Sequence, residues 1–227
     1  SGWARGLLLP LALSYGAGLP LDSGIWQAAA QELADLRGQD IRQDIGQGIR
    51  YTPDDLRAVL RVAGAHIVEH GEGGQPVYRL GHEAMAEHLV ESAGAAGELH
   101  GAMTDVLLRI HRTRHRGRGG TNPYIARYAT AHAAAAERLD ELIVDGEFLV
   151  NADPERLTVL LDGPRDGAVA EATLYRGVAE ELTGKSPAER AALLQATALC
   201  QRPELRAWAR AAGSLPWQDR WTTAERS

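Results

Sequence analysis

The stretch Gly71-Glu72-Gly73-Gly74-Gln75 constrains the fold most, because it is hairpin chemistry set between two short β-type runs, AHIVEH and PVYRL, in a chain patterned mainly for helix. Pro76, which has no N–H to give a ladder, is tolerated at the start of an edge strand. Three helix-period stretches come before it. Leu8, Leu9 and Leu13 mark the first, over 7–16, and Trp26, Ala29, Leu33 and Leu36 the second, over 24–37. Gly16-Ala17-Gly18-Leu19-Pro20 reads as the turn between them. Thr52 as N-cap, Pro53 at the first helical position and Asp54 and Asp55 in the first turn open the third, which carries Leu56, Val59, Leu60 and Ala63 and stops at Gly64. Between the second and third, Ile41, Ile45 and Ile49 lie four apart among Gly and Gln, as in a loop that docks one apolar edge. A further helix begins near His82, with Met85 and Leu89 on one face.

Helix, helix, helix, hairpin, helix is the order of a winged-helix domain with a helix added after the wing, expected here over 1–97. The small-residue break Ser92-Ala93-Gly94-Ala95-Ala96-Gly97 closes it. Beyond the break the pattern is helical throughout. Leu99, Met103, Val106, Leu107 and Ile110 form one stripe of an amphipathic helix over 98–111. Asn122-Pro123, Asp153-Pro154 and Ser186-Pro187 repeat one helix-start grammar, the last with Glu189 completing a capping box. Their spacing of roughly 30 to 33 residues is close to the period of helix-pair solenoids. The fold class expected is therefore mostly α: a winged helix with a small β-hairpin, then an irregular, superhelical array of helical repeats over 98–213. Residues 214–227 read as a linker tail whose Trp217 and Trp221 would dock on a further, C-terminal domain.

No apolar run approaches the roughly 18 residues of a membrane span, which excludes an integral helical membrane protein. Of the 227 residues, 24 are Lys or Arg and 30 Asp or Glu, a net charge of -6, and 44% are hydrophobic, enough to bury a real core. The single cysteine, Cys200, cannot form an internal disulfide and reads as a small apolar filler late in a helix, so a cytoplasmic location is expected. The first residue is Ser1, and SGWARGLLLPLAL has neither a charged n-region nor a small-x-small cleavage site. The expectation is an internal segment of a longer protein.

Several motifs weigh less than they first promise. His66-Ile67-Val68-Glu69-His70 fits H-x-x-E-H, but that zinc chemistry needs both histidines on one helix face, whereas residues four apart in a β-run lie about 13 Å from each other. Gly184-Lys185-Ser186 lacks the first Gly of a P-loop, Ala179 standing at that place, and it follows a helix rather than a strand. No nucleotide hydrolysis, metal or cofactor is expected of these residues by themselves. Ser14, Ser23, Ser92 and Ser214 have no nucleophile-elbow context, and Asp140 and Glu141 read as a solvated helix face. Arg109, Arg112, Arg114, Arg116 and Arg118 fall within ten residues that run into Gly119-Gly120. They read as a mobile interhelical loop and as the one candidate interaction patch, for nucleic acid, an acidic partner or a phosphate. Nucleic acid is disfavoured: the chain is acidic, and the third helix sets Asp54 and Asp55 against Arg57 and Arg61, with no net positive charge to displace counterions.

The run Tyr78-Arg79-Leu80-Gly81-His82-Glu83-Ala84-Met85-Ala86-Glu87-His88-Leu89 resembles the end of the winged-helix domain in STAND-class signalling ATPases, including the NACHT branch. Tyr78 and Leu80 supply the wing strand, His82 the histidine, and Met85 and Glu87 the positions after it; His88 stands where the pattern has an aromatic residue. The layout from Leu7-Leu8-Leu9-Pro10-Leu11-Ala12 through Gly18-Leu19-Pro20 to Thr52-Pro53-Asp54-Asp55-Leu56 resembles the regulatory region of bacterial STAND proteins that carry a WD-repeat propeller. So do the region His132–Ala136, the run Phe148-Leu149-Val150-Asn151-Ala152-Asp153-Pro154 and the tryptophan-containing tail, so that the likeness spans nearly the whole chain. It implies a regulatory role without catalysis. His82 would contact the β-phosphate of ADP held by an upstream nucleotide-binding domain and keep that domain closed, while the helical array relays ligand binding from a downstream sensor, a WD-repeat propeller. The Gly/Ala break at 92–97 is then the hinge. A helical scaffold that binds a protein partner along a concave surface, and a nucleic-acid-binding winged helix, are the alternatives.

Overall fold

A computed structural model describes residues 2–39, 50–72, 74–116, 121–163 and 167–213. The chain is mostly α-helical, with one small three-stranded antiparallel sheet. It divides into two compact units, 1–137 and 138–227. Residues 98–137, which the sequence pattern groups with the helical repeats, lie in the first.

In the first unit, α1 (Gly2–Leu13) buries Leu7, Leu8, Leu9 and Leu11, and α2 (Ile25–Gln39) buries Ile25, Trp26, Ala29, Ala30 and Leu33. The two pack together, and the Trp26 indole donates to Leu7 O at 2.8 Å, so the largest buried ring also satisfies its polar atom. Helix α3 (Pro53–Ala63) starts at Thr52 as its sequence predicts, with a reciprocal cap that the pattern did not disclose. Asp55 N donates to Thr52 Oγ1 at 3.3 Å, and Asp55 Oδ2 accepts from Thr52 N at 2.8 Å. A 3-10 turn, Gly64–His66, leads into β2 (Ile67–Glu72), which pairs with β3 (Gln75–Leu80) in the predicted hairpin. Helix α4 (Glu83–Glu91) follows and packs on α1.

The turn after α1 departs from expectation. Leu19 and Pro20 form a short strand, β1, against Tyr78 and Val77 of β3, giving the sheet order β1-β3-β2. Two residues of strand show no alternation, so only the left-handed glycines before them signal it. Gly16 has φ +65° and sits under the Tyr128 hydroxyl, and Gly18 has φ +117° and lies so close to the Tyr78 carbonyl that no Cβ fits. With β1 included, the described elements up to β3 run helix, strand, helix, helix, strand, strand.

Helix α5 (Ala96–Arg116) runs five residues beyond the stretch predicted from its stripe. Leu99, Met103, Val106 and Leu107 are buried, and so is His111, which extends the buried face toward the arginines. Helix α5 packs along α2 and pairs with α6 (Pro123–Ala135), capped by Asn122, whose Oδ1 accepts from Tyr124 N at 2.8 Å.

The second unit is helical among its described residues: α7 (Leu139–Ile143), α8 (Gly146–Leu149), α9 (Pro154–Leu160), α10 (Val169–Leu182), α11 (Pro187–Gln201) and α12 (Arg206–Ala211). Asp153 and Ser186 cap α9 and α11, Ser186 with Glu189 in the predicted box. The helices opened by the three Pro-marked starts have 13, 7 and 15 residues. Phe148, Tyr175, Leu142, Leu157 and Leu194 fill the core. Arg190 ties it together, giving hydrogen bonds to the carbonyls of Leu182 (3.1 Å), Val150 (3.2 Å) and Ala152 (2.8 Å). Asp140, predicted to face solvent, is half-buried and accepts from Gly167 N at 3.1 Å, while Glu141 pairs with Arg138. Cys200 lies in α11 as expected but is exposed rather than a filler, because the buried side of α11 runs through Ala191, Leu194 and Ala198. The predicted loop at Ile41, Ile45 and Ile49 and the tail with Trp217 and Trp221 lie outside the described residues.

Candidate functional site

His82 takes the N-cap position of α4, one residue beyond the end of β3, with extended backbone (φ -126°, ψ 120°). Gly81 N donates to His66 O at 2.8 Å, which fastens the open end of the hairpin just before the histidine. The His82 carbonyl accepts from Met85 N and Ala86 N at 3.1 and 3.2 Å, so the amides of Glu83 and Ala84 precede the first helical bond and have no acceptor within the helix. The His82 ring is exposed, gives no capping hydrogen bond, and takes part in no hydrogen bond or ion pair among the described residues. Ring and amides together form a donor-rich corner at the positive end of a nine-residue helix. Glu83, exposed in the first turn, sets a carboxylate beside it, and Glu87 and Glu91 continue that face at four-residue spacing.

The arginine patch is helical where the sequence reading placed a mobile loop. Arg109, Arg112, Arg114 and Arg116 belong to α5, because the stripe through Leu107 and His111 keeps the helix packed; Arg118 lies outside the described residues. Arg109 pairs with Glu32 of α2 at 2.7 Å, and Arg114 reaches Ser23 O at 3.5 Å. Arg109 and Arg114 thus serve the unit's own packing. Arg112 is exposed.

Of the H-x-x-E-H residues, His66 sits in the 3-10 turn, while Glu69 and His70 lie on β2, where His70 Nε2 accepts from Arg79 Nε at 3.3 Å across the hairpin. Among the described residues no group of three or more His, Cys, Asp or Glu is placed to hold a metal ion. Lys185 stands in the short link between α10 and α11, and the Ser186 hydroxyl is committed to Glu189. Ser23 and Ser92 hydroxyls bond backbone carbonyls, of Pro20 and of His88 and Leu89.

The most concentrated polar chemistry is inside the first unit. Tyr15 N donates to the Tyr124 hydroxyl at 3.1 Å, that oxygen lies 3.0 Å from His132 Nε2, and His132 Nδ1 lies 2.9 Å from His100 Nδ1. The Tyr15 ring stacks on His100 (centroids 5.7 Å apart) and meets His132 edge-on at 4.8 Å. His132 is fully buried and His100 half-buried. Burial pushes both imidazoles below the ordinary histidine value, His132 furthest, with His100 adding to the effect there; burial likewise raises the Tyr124 hydroxyl. The sequence reading singled out only the region His132–Ala136. A signal was present: Tyr124, Tyr128 and His132 recur every four residues, one face of α6.

Comparison with known proteins matches this chain to no family model, no curated protein and no solved structure.

Proposed function

We propose that the chain is a non-catalytic regulatory segment of a bacterial, cytoplasmic STAND-class signalling NTPase. In this reading His82 donates to the β-phosphate of ADP bound by an upstream nucleotide-binding domain and holds that domain closed. The helices that follow relay ligand binding from a downstream sensor, a WD-repeat propeller. One observation carries it: an exposed imidazole with no capping duty, at a helix end whose first amides have no helical acceptor, next to a fastened hairpin. A charged phosphate oxygen is the natural acceptor for such donors, and a charge-assisted bond lost there releases one of two arrangements of a rigid body. No helix among the described residues is long and apolar enough to cross a membrane, in keeping with a cytoplasmic signalling role.

The test is an ADP titration of the longer protein that carries the nucleotide-binding domain. His82→Ala is expected to weaken ADP retention by about tenfold or more, the worth of one hydrogen bond to a charged group, and to raise basal signalling. Equal ADP affinity and equal basal activity in the two proteins would remove the reading.

A further inference from the structure

The chain of hydrogen bonds from Tyr15 to His100 has a direction. Tyr15 N–H donates to the Tyr124 oxygen, so the Tyr124 O–H is left to donate to His132 Nε2. That fixes the neutral His132 with its proton on Nδ1, which donates to an unprotonated Nδ1 of His100, and His100 carries its own proton on Nε2. Each of the three links then has one donor and one acceptor. The links join three parts of the fold: the turn between α1 and β1 through Tyr15, α5 through His100, and α6 through Tyr124 and His132.

We propose that this chain is an acid-sensitive latch, which holds the α5–α6 hairpin to the turn after α1 while both imidazoles are neutral and lets go when His100 gains a proton. A protonated His100 presents N–H at both ring nitrogens, so its Nδ1–H faces the Nδ1–H of His132. The contact survives only if the His132 proton moves to Nε2. That nitrogen then donates to the Tyr124 oxygen, which already accepts from Tyr15, and the buried Tyr124 O–H loses its acceptor. One proton at the half-exposed end thus reverses the chain and orphans a donor at its buried end, a cost that opening the latch relieves. Among the described residues no carboxylate acts on either imidazole to offset a positive charge. The titratable groups beside them are Tyr15 from the turn and Tyr124 and Tyr128 from α6, and Glu72, at the end of β2, acts on Tyr124 with its carboxylate paired with Arg127. The direction of release follows from linkage. The folded imidazoles hold a proton less readily than the unfolded ones, so stability is full above the unfolded histidine value, about 6.5, and falls as the pH drops below it. The inference rests on this geometry alone and stands apart from the role of His82.

Nitrogen NMR of the histidine-labelled chain near pH 7.5 should show His132 protonated at Nδ1 and His100 at Nε2. Hydrogen exchange, corrected for intrinsic rates, should show the Tyr15 amide and α6 losing protection between about pH 7 and 5.5, while Val59 in α3 keeps its own. His100→Asn retains an acceptor, Oδ1, near the place of Nδ1 but cannot titrate. In that variant protection at pH 7 should be retained, and the acid-induced loss at Tyr15 and α6 should shrink to the share that the buried His132 still contributes. His132 found protonated at Nε2 near pH 7.5, or the same acid-induced loss in His100→Asn as in the parent chain, would overturn the latch. Should that variant fold poorly, the tautomers of the parent chain decide alone.

Discussion

At the scale of single residues, geometry separates side chains that hold the fold from those that do not. Asp55 is bound by the Thr52 hydroxyl (2.7 Å) and N–H and by the Trp3 indole (3.2 Å), contacts that hold its carboxyl below the usual carboxylate range. Asp55→Ala should therefore cost about 1 kcal/mol at pH 7 in urea unfolding, the worth of a cap. Because the folded value is depressed, the difference from the parent chain should be full above about pH 4 and fade as the pH falls below it. Gly16 combines a left-handed backbone with a place beneath the Tyr128 hydroxyl. Gly16→Ala strains the turn and displaces a ring at once, and we expect a loss of about 2 kcal/mol by the same measurement. Glu83 bears on the proposed function more than on stability. Its carboxylate opposes a phosphate at the same helix end, so Glu83→Gln in the longer protein should tighten ADP binding severalfold in a titration, while the lost first-turn charge lowers stability by less than about 1 kcal/mol.

At the scale of elements, caps and long apolar stripes were legible, and short or tertiary features were not. Thr52, Asn122, Asp153 and Ser186 all cap the helices their sequence announces, because the side chain that signals the start is the one that bonds the free amides. The hairpin was legible from its glycines. Strand β1 was not, since two residues carry no period and are made into a strand only by β3. The arginine run was misplaced because charge reads as loop, whereas the buried side of α5 decides the matter through His111. Arg190 shows the same limit. Its three carbonyl partners come from α10 and from the segment between α8 and α9, a meeting only the folded unit reveals. Arg190→Met keeps the apolar stem and removes the donors. It should destabilise the second unit by about 2 kcal/mol, the cost of leaving carbonyls unpaired, read from its unfolding midpoint.

At the scale of the whole molecule, each unit has its own core, one around Trp26 and one around Phe148 and Tyr175. Damage to one core should then stay local. Leu142→Ala empties a fully buried site in the second unit at a cost of about 3 kcal/mol, and hydrogen exchange followed by mass spectrometry should rise across 138–213 and hold steady across 2–137. The boundary at Glu137 was not legible, because Glu137 itself, with φ 58°, bears no glycine mark, while the small residues at 92–97 announce a break that α4 and α5 bridge by both packing within the first unit. The candidate site divides in the same way. The place of His82 at the start of α4 was legible from local sequence, but the buried chain joins residues 15, 100, 124 and 132, separations that no local pattern spans. The idle imidazole at position 82 has one more implication for experiment. Since its ring bonds to none of the described residues, exchanging it removes no hydrogen bond among them, and a change of behaviour that follows points to whatever meets that corner from outside.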